Sequence, residues 1–264
     1  MDLALRETDD RAVIEAFLRR DPLLHIYEIG DLDPFFWPKT RWWGAWSGDA
    51  LQALALRYAA PGLDAVLLLE RRNPAAAQWL ARQLVEVQRD PFHAHFSPGI
   101  GELFAERNAR SVGVHRKMTL SGDAVLPSGR EDVRRLSAED VPALRDLYAR
   151  AYPSNWFDPA MVETEQYFGG FEDGHLRAVA GVHVFAPAQK VAALGNITTC
   201  PDARGRGWAR AVTAEVCRSL RAAGVEQIGL NVKADNAAAI ACYLRLGFVH
   251  EADYVEWDVD GSST

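Results

Sequence analysis

The chain has 264 residues, 48% of them hydrophobic and 25% charged, an ordinary balance for a globular protein of one large domain or two modest ones. Its 29 basic residues against 36 acidic ones leave a net charge of −7, which excludes a general attraction for nucleic acid or an anionic membrane. The three cysteines lack metal or disulfide spacing, no stretch reaches the roughly 20 apolar residues of a membrane span, and Met1–Glu7 lacks a signal-peptide layout, so a cytoplasmic protein is expected.

The first part opens with a helical pattern from Arg11 to Arg19, carrying Val13, Ile14, Phe17 and Leu18 on one face. A short helix is expected from Pro22 to Ile29, then strands at Trp42 to Trp46, Leu51 to Tyr58 and Leu63 to Leu69. Glu70-Arg71-Arg72 reads as a solvated strand end. Asn73-Pro74 can start a helix reaching about Val87, with proline at its first position. Strands at Phe92 to Phe96 and Val112 to Leu120 flank a short helix near Ile100 to Glu106. Ser121 to Arg130, rich in glycine, serine and proline, reads as a linker that separates a domain at 1–120 from one at 131–264.

The second part repeats that order. A strand at Val133 to Leu136 precedes helices at Ala138 to Ala151 and Pro159 to Phe168. Leu176 to Phe185 and Val191 to Thr199 read as a strand pair. A helix follows from Arg206 to Arg221, with Gly224 just past its end. Ile228 to Val232 is a strand, Asn236 to Leu246 a helix and Phe248 to Val259 a final strand. Both parts run helices, strands, helix, strand, helix, strand, which is the pattern of a duplication.

Two segments carry chemistry. Arg204-Gly205-Arg206-Gly207-Trp208-Ala209 lies between a strand and a helix, where unpaired backbone N–H groups and the helix dipole favour an anion. It is not a P-loop, because Trp208 follows Gly207, and it is not a dinucleotide fingerprint, because Arg210 stands where a third glycine is needed. The second segment runs from Asp235 to Phe248, with Asn236 suited to cap a helix and Gly247 to stop it. Ile240, Tyr243 and Leu244 share one face, and a well-capped core helix explains that segment by itself.

Together these segments resemble the Gcn5-related N-acetyltransferases. Arg204-x-x-Gly207-x-Ala209 is similar to that family's pyrophosphate loop, Asn236 to Phe248 to its second signature, and Gly195 to Asp202 to the strand entering the loop. The resemblance covers about residues 130–259; the first half carries neither motif. It implies an α/β fold of tandem domains, each a twisted mixed sheet flanked by helices, the N-terminal one degenerate. It also implies acetyl-CoA as cosubstrate. Ile197, Thr198 and Thr199 would pair with the pantetheine arm, Gly205, Arg206, Gly207, Trp208, Ala209 and Arg210 would cradle the pyrophosphate beside Arg204, and Asn236 would bond the pantetheine or phosphate region. Tyr243 would lie near the sulfur as general acid to the departing thiolate.

The implied reaction is direct attack of a primary amine on the acetyl carbonyl in a ternary complex. The acceptor would be a small molecule or a peptide, and the protein a monomer or homodimer. Several family members place a glutamate five residues before the motif asparagine; this chain has Asn231 there, which cannot act as a base. Glu163, Glu165, His175 and His183 are candidates by type, a water chain serves equally well, and the sequence assigns none of them. Two alternatives are transfer of another acyl group to an amino acid, and a non-catalytic acyl-CoA sensor or scaffold, which the missing acid favours and Tyr243 disfavours. His93-x-His95 points two imidazoles to one strand face, but no third ligand is evident and no metal is expected. Cys200 is either an acyl-accepting nucleophile or, the preferred reading, a small buried hydrophobe, and the cluster Trp37, Trp42, Trp43 and Trp46 either lines a substrate pocket or partner surface or, by default, packs as core.

Overall fold

The computed structural model describes residues 2–261. In chain order its main elements are β1 (Ala4–Glu7), α1 (Arg11–Leu18), α2 (Ile26–Gly30), β2 (Thr40–Ser47), β3 (Ala50–Ala60), β4 (Leu63–Leu68), α3 (Pro74–Val87), β5 (Phe92–Phe96) and β6 (Arg110–Leu120). There follow β7 (Val133–Arg135), α4 (Val141–Ala151), β8 (Phe168–Glu172), β9 (His175–Ala186), β10 (Val191–Thr199), α5 (Trp208–Ala222), β11 (Gln227–Lys233), α6 (Ala237–Arg245) and β12 (Phe248–Val259). Among the described residues no helix is long and apolar enough to cross a membrane.

The chain forms two compact units that are not simple consecutive halves. The first holds residues 2–117, 233–235 and 251–261; the second holds 118–232 and 236–250. The residues from Glu251 onward, which the sequence reading placed in the second domain, therefore belong to the first unit. The reason is pairing: Val255–Val259 run antiparallel to Phe96–Phe92 of β5. The stretch read as a linker is tied down within the second unit. Arg221 on α5 donates to the carbonyls of Ser121 and Ala124, at 2.9 and 2.8 Å, and Arg218 donates to that of Pro127.

In the first unit β1, β2, β3 and β4 are antiparallel neighbours, and β4 is parallel to β5, joined through α3. The pattern on β5 is strict alternation: Phe92, Ala94 and Phe96 enter a core with Leu80, Leu84 and Phe104, while His93 and His95 take the opposite face. Trp42 and Trp43 are both buried, as expected of large apolar rings.

In the second unit β7, β8, β9 and β10 are antiparallel neighbours and β10 is parallel to β11, joined through α5. Both units thus present a mixed sheet flanked by helices. Their core is separate too, with Leu144, Leu147, Tyr167, Val212, Val216 and Leu220 among its buried members.

Two readings need correction. Pro159 to Phe168 is not a helix: only Pro159–Thr164 forms a 3-10 turn, Glu165 ends it in the left-handed region at φ 60°, and Phe168 opens β8. Glycines inside β8 disguised it. A Cβ on Gly170 would fall 2.5 Å from the Trp208 ring, so the missing side chain is what lets α5 lie on this strand. On α6, Ile240 and Tyr243 are buried but Leu244 is 53% exposed, so it does not share their face.

Candidate active site

Strand β10 pairs with β11 only from Val191–Leu194, opposite Gln227–Leu230; beyond that, residues 195–199 have no parallel partner on β11. On the other side the β9 register slips by one residue between Gly195 and Thr198, the signature of a bulge. Asn196 occupies it at φ 56°, a left-handed conformation that asparagine tolerates better than most residues. It is locked on both counts: its side-chain Nδ2 donates to Tyr167 Oη at 3.0 Å, and its backbone carbonyl accepts from Tyr148 Oη at 3.1 Å. Burial holds both phenols protonated well above their ordinary range. The buried hydrogen bonds fix a strand that opens away from its parallel neighbour, with Ile197, Thr198 and Thr199 half-buried on the freed segment.

The strand leads through a short 3-10 turn, Pro201–Ala203, into the glycine loop and α5. Gly205 and Gly207 have φ of 75° and 82°, conformations that side chains resist. No side chain caps α5, whose first residue Trp208 follows Gly207 directly. Its first N–H groups are therefore a donor set without an internal acceptor. Trp208 is buried under β8, so only its backbone is available to a ligand, whereas Arg204, Arg206 and Arg210 are exposed. Arg206 is currently held by Glu172, with Nη1 donating at 3.0 Å, and Arg204 Nε donates to the carbonyl of Thr199 at 3.5 Å. Glu172, on the edge of this loop, is a neighbour that the sequence did not reveal.

Asn236 caps α6, its Oδ1 accepting from the N–H of Ala239 at 3.1 Å. Tyr243 lies on that helix with 7% of its surface exposed, packed 5.8 Å from the Phe248 ring centroid, and burial raises its pKa above the ordinary tyrosine value. It shares one core cluster with Trp208 and Cys217 of α5. The structure thus brings the strand segment, the loop, α5 and α6 into one unit, in the order the sequence motifs required.

The base candidates separate. Glu163 and His175 are exposed, and Glu165 is engaged by Arg135 at 2.8 Å. His183 on β9 lies across Gly195, where an added Cβ would come within 2.3 Å of the imidazole, so it borders the bulge. Asn231 follows the last residue of β11 paired with β10, with Oδ1 buried and lacking a hydrogen-bond partner among the described residues. Cys200 is buried, and its thiol pKa is pushed up by a hydrogen bond with Asp202 and by burial, which disfavours a nucleophilic thiolate.

Residues 132–248 match the acetyltransferase (GNAT) family. The chain is 32% identical over 120 residues to the [ribosomal protein bS18]-alanine N-acetyltransferase of Escherichia coli, across 44% of this chain and 79% of that protein. It is 30% identical over 116 residues to mycothiol acetyltransferase of Beutenbergia cavernae, across 44% of this chain and only 37% of that relative's length. A solved tandem GNAT protein from the clavulanic acid biosynthesis pathway aligns over 100% of both chains, with a TM-score of 0.58 at 16% identity, a likeness of fold alone. The chain belongs to the GNAT acetyltransferase family, and its first half shares in the tandem GNAT fold.

Proposed function

We propose that this protein is an acetyl-CoA-dependent N-acetyltransferase that moves an acetyl group to a primary amine by direct attack in a ternary complex. The observation that carries the reading is the junction of a bulged β10 segment, open on its β11 side, with the uncapped, glycine-lined N-terminus of α5. A long anionic thioester matches both parts: amide groups for an extended strand, and converging N–H donors for a pyrophosphate. Bound acetyl-CoA would supply an activated acyl carbonyl and a thiolate leaving group.

The residues then divide the work. Ile197, Thr198 and Thr199 would pair along the pantetheine arm, with a backbone N–H of the bulge placed to stabilise developing negative charge on the carbonyl oxygen. Arg204, Gly205, Arg206, Gly207, Trp208, Ala209 and Arg210 would hold the pyrophosphate, Trp208 through its backbone. Asn236 would keep the start of α6 beside the pantetheine. Tyr243, kept protonated by burial, would donate its proton to the leaving sulfur. The acceptor amine must lose a proton before attack. His183 is the imidazole beside the bulge and is assigned that role, directly or through water. An amine acceptor also agrees with the alanine N-acetyltransferase among the relatives.

The test is turnover. Wild-type protein with acetyl-CoA and a panel of amino acids, small amines and peptides with free N-termini should release free CoA in step with acetylated amine, read by mass spectrometry. Binding of acetyl-CoA without turnover on any of them would sink the catalytic reading and leave a sensor.

A further inference from the structure

On the first unit, three imidazoles converge on one carboxylate away from the acetyl-transfer site. His93 and His95 project from the same face of β5, and the β12 register sets Glu256 directly opposite His95 and Asp258 opposite His93. His115 reaches the same carboxylate from β6. The Nε2 atoms of His93, His95 and His115 lie 3.3, 3.5 and 3.4 Å from the oxygens of Glu256. Two donors bound at about 2.0–2.1 Å to one tetrahedral ion stand about 3.3–3.4 Å apart, close to these separations, and the ligand atoms of His93, His95 and Glu256 all lie within 4.8 Å of one another.

Hydrogen bonding accounts for His93, which faces Glu256 and Asp258, but not for the other two rings. The Nδ1 of His115 meets the carbonyl of Gly113 at 3.2 Å, and a carbonyl only accepts, so the ring's proton is on Nδ1. A neutral His115 then turns a lone pair, not a proton, toward Glu256. The Nδ1 of His95 is buried and has no hydrogen-bond partner among the described residues. Tyr254 Oη donates to Glu256 Oε1 at 2.7 Å, leaving other lone pairs of that carboxylate for an ion.

The surroundings complete a metal site. Nδ1 of His93 is bonded at 2.9 Å to Asp258, the outer carboxylate that orients a ligating imidazole. Glu256 and Asp258 together balance a divalent charge. A cleft of about 350 Å³ lined by Asp64, Pro91, His93 and Asp258 gives a route of entry.

We propose that His93, His95 and Glu256, with His115 as fourth donor, bind one divalent ion of the zinc class and clamp β5 to β12. The nitrogen-rich donor set selects zinc-like ions over magnesium, which prefers six oxygens.

The test uses the full chain, stripped with a chelator and titrated with zinc in competition with a chromophoric chelator. One equivalent should bind, unaffected by excess magnesium. Cobalt should give the intense visible absorption of a tetrahedral site. His95→Ala and Glu256→Gln should weaken zinc binding by at least about 100-fold and abolish the cobalt bands, while His175→Ala, a surface histidine, should change neither. Should the core variants fail to fold by circular dichroism, the partly exposed His93→Ala carries the same prediction, and zinc should raise the melting temperature of wild type alone. Zinc binding by wild type no tighter than by His93→Ala, or cobalt spectra of an octahedral surface complex, would overturn the site.

Discussion

The N-termini of α3 and α5 hold equivalent places in their units, each following one parallel strand and preceding the next, yet they are finished in opposite ways. The start of α3 is satisfied from within. Asn73 caps it by accepting from the N–H of Ala76, Pro74 removes a donor at the first position, and the Glu70 carboxylate accepts from the N–H groups of Arg72 and Asn73. The start of α5 has two glycines in left-handed conformations, no side-chain cap and three exposed arginines nearby. The strands before them differ as well. β4 stays in register with β5 through its last residue, Leu68, whereas β10 continues past its last parallel pair as a bulged free edge. One architecture therefore yields one end suited to an external anion and one end already occupied by the protein's own carboxylate.

That contrast can be broken at several points. The largest effect is expected from Tyr243→Phe, which removes the proposed acid while leaving the loop intact: kcat should fall by about 10²–10⁴ with acetyl-CoA affinity unchanged, measured by CoA release beside calorimetry. An equal loss of affinity would instead make Tyr243 a binding residue. The pH profile sharpens the same point. Because burial raises the Tyr243 pKa, its acid form persists beyond the usual phenol range near ~10, so kcat/KM should show no descending limb from loss of this acid up to pH 9. A descending limb between about pH 8 and 9 would argue against this acid.

On the other side of the comparison, Asn73→Ala should cost about 1 kcal/mol of stability in denaturant unfolding, the usual worth of an N-cap, without altering acetyl-CoA affinity. The smallest effect concerns Glu172, which competes for Arg206 at the edge of the loop. Glu172→Gln should tighten acetyl-CoA binding a few-fold, on the scale of an exposed ion pair, and the gain should fade at high salt.

What was legible in the sequence follows from local chemistry. Asn73-Pro74, Asn236 and Gly224 mark helix ends because capping and left-handed stops act within a few residues, and the glycine loop announced itself by composition. What was hidden depends on distant partners. Gly169-Gly170 carries no strand signal, since only the Leu136, Leu176 and Trp208 side chains lying over them make glycine fit a strand. The bulge at Asn196 needs Tyr148 and Tyr167 from elsewhere in the unit to hold it. Glu70-Arg71-Arg72 looked like a solvated end, but Glu70 is buried against α3 and Arg71 bridges Asp21 and Glu251 at 2.6 Å each. For His93 and His95 the missing partner, Glu256, sits on the final strand, where only register reveals it.

The central claim is that the α5 terminus takes acetyl-CoA and the α3 terminus does not. Calorimetric titration of the full chain, with Gly207→Ala and Gly207→Glu alongside, tests it most directly. Both substitutions strain the left-handed position, but only glutamate brings a carboxylate to the pyrophosphate. One acetyl-CoA per chain, weakened in Gly207→Ala and abolished in Gly207→Glu, is the predicted result; two per chain, or one that survives in Gly207→Glu, would contradict it.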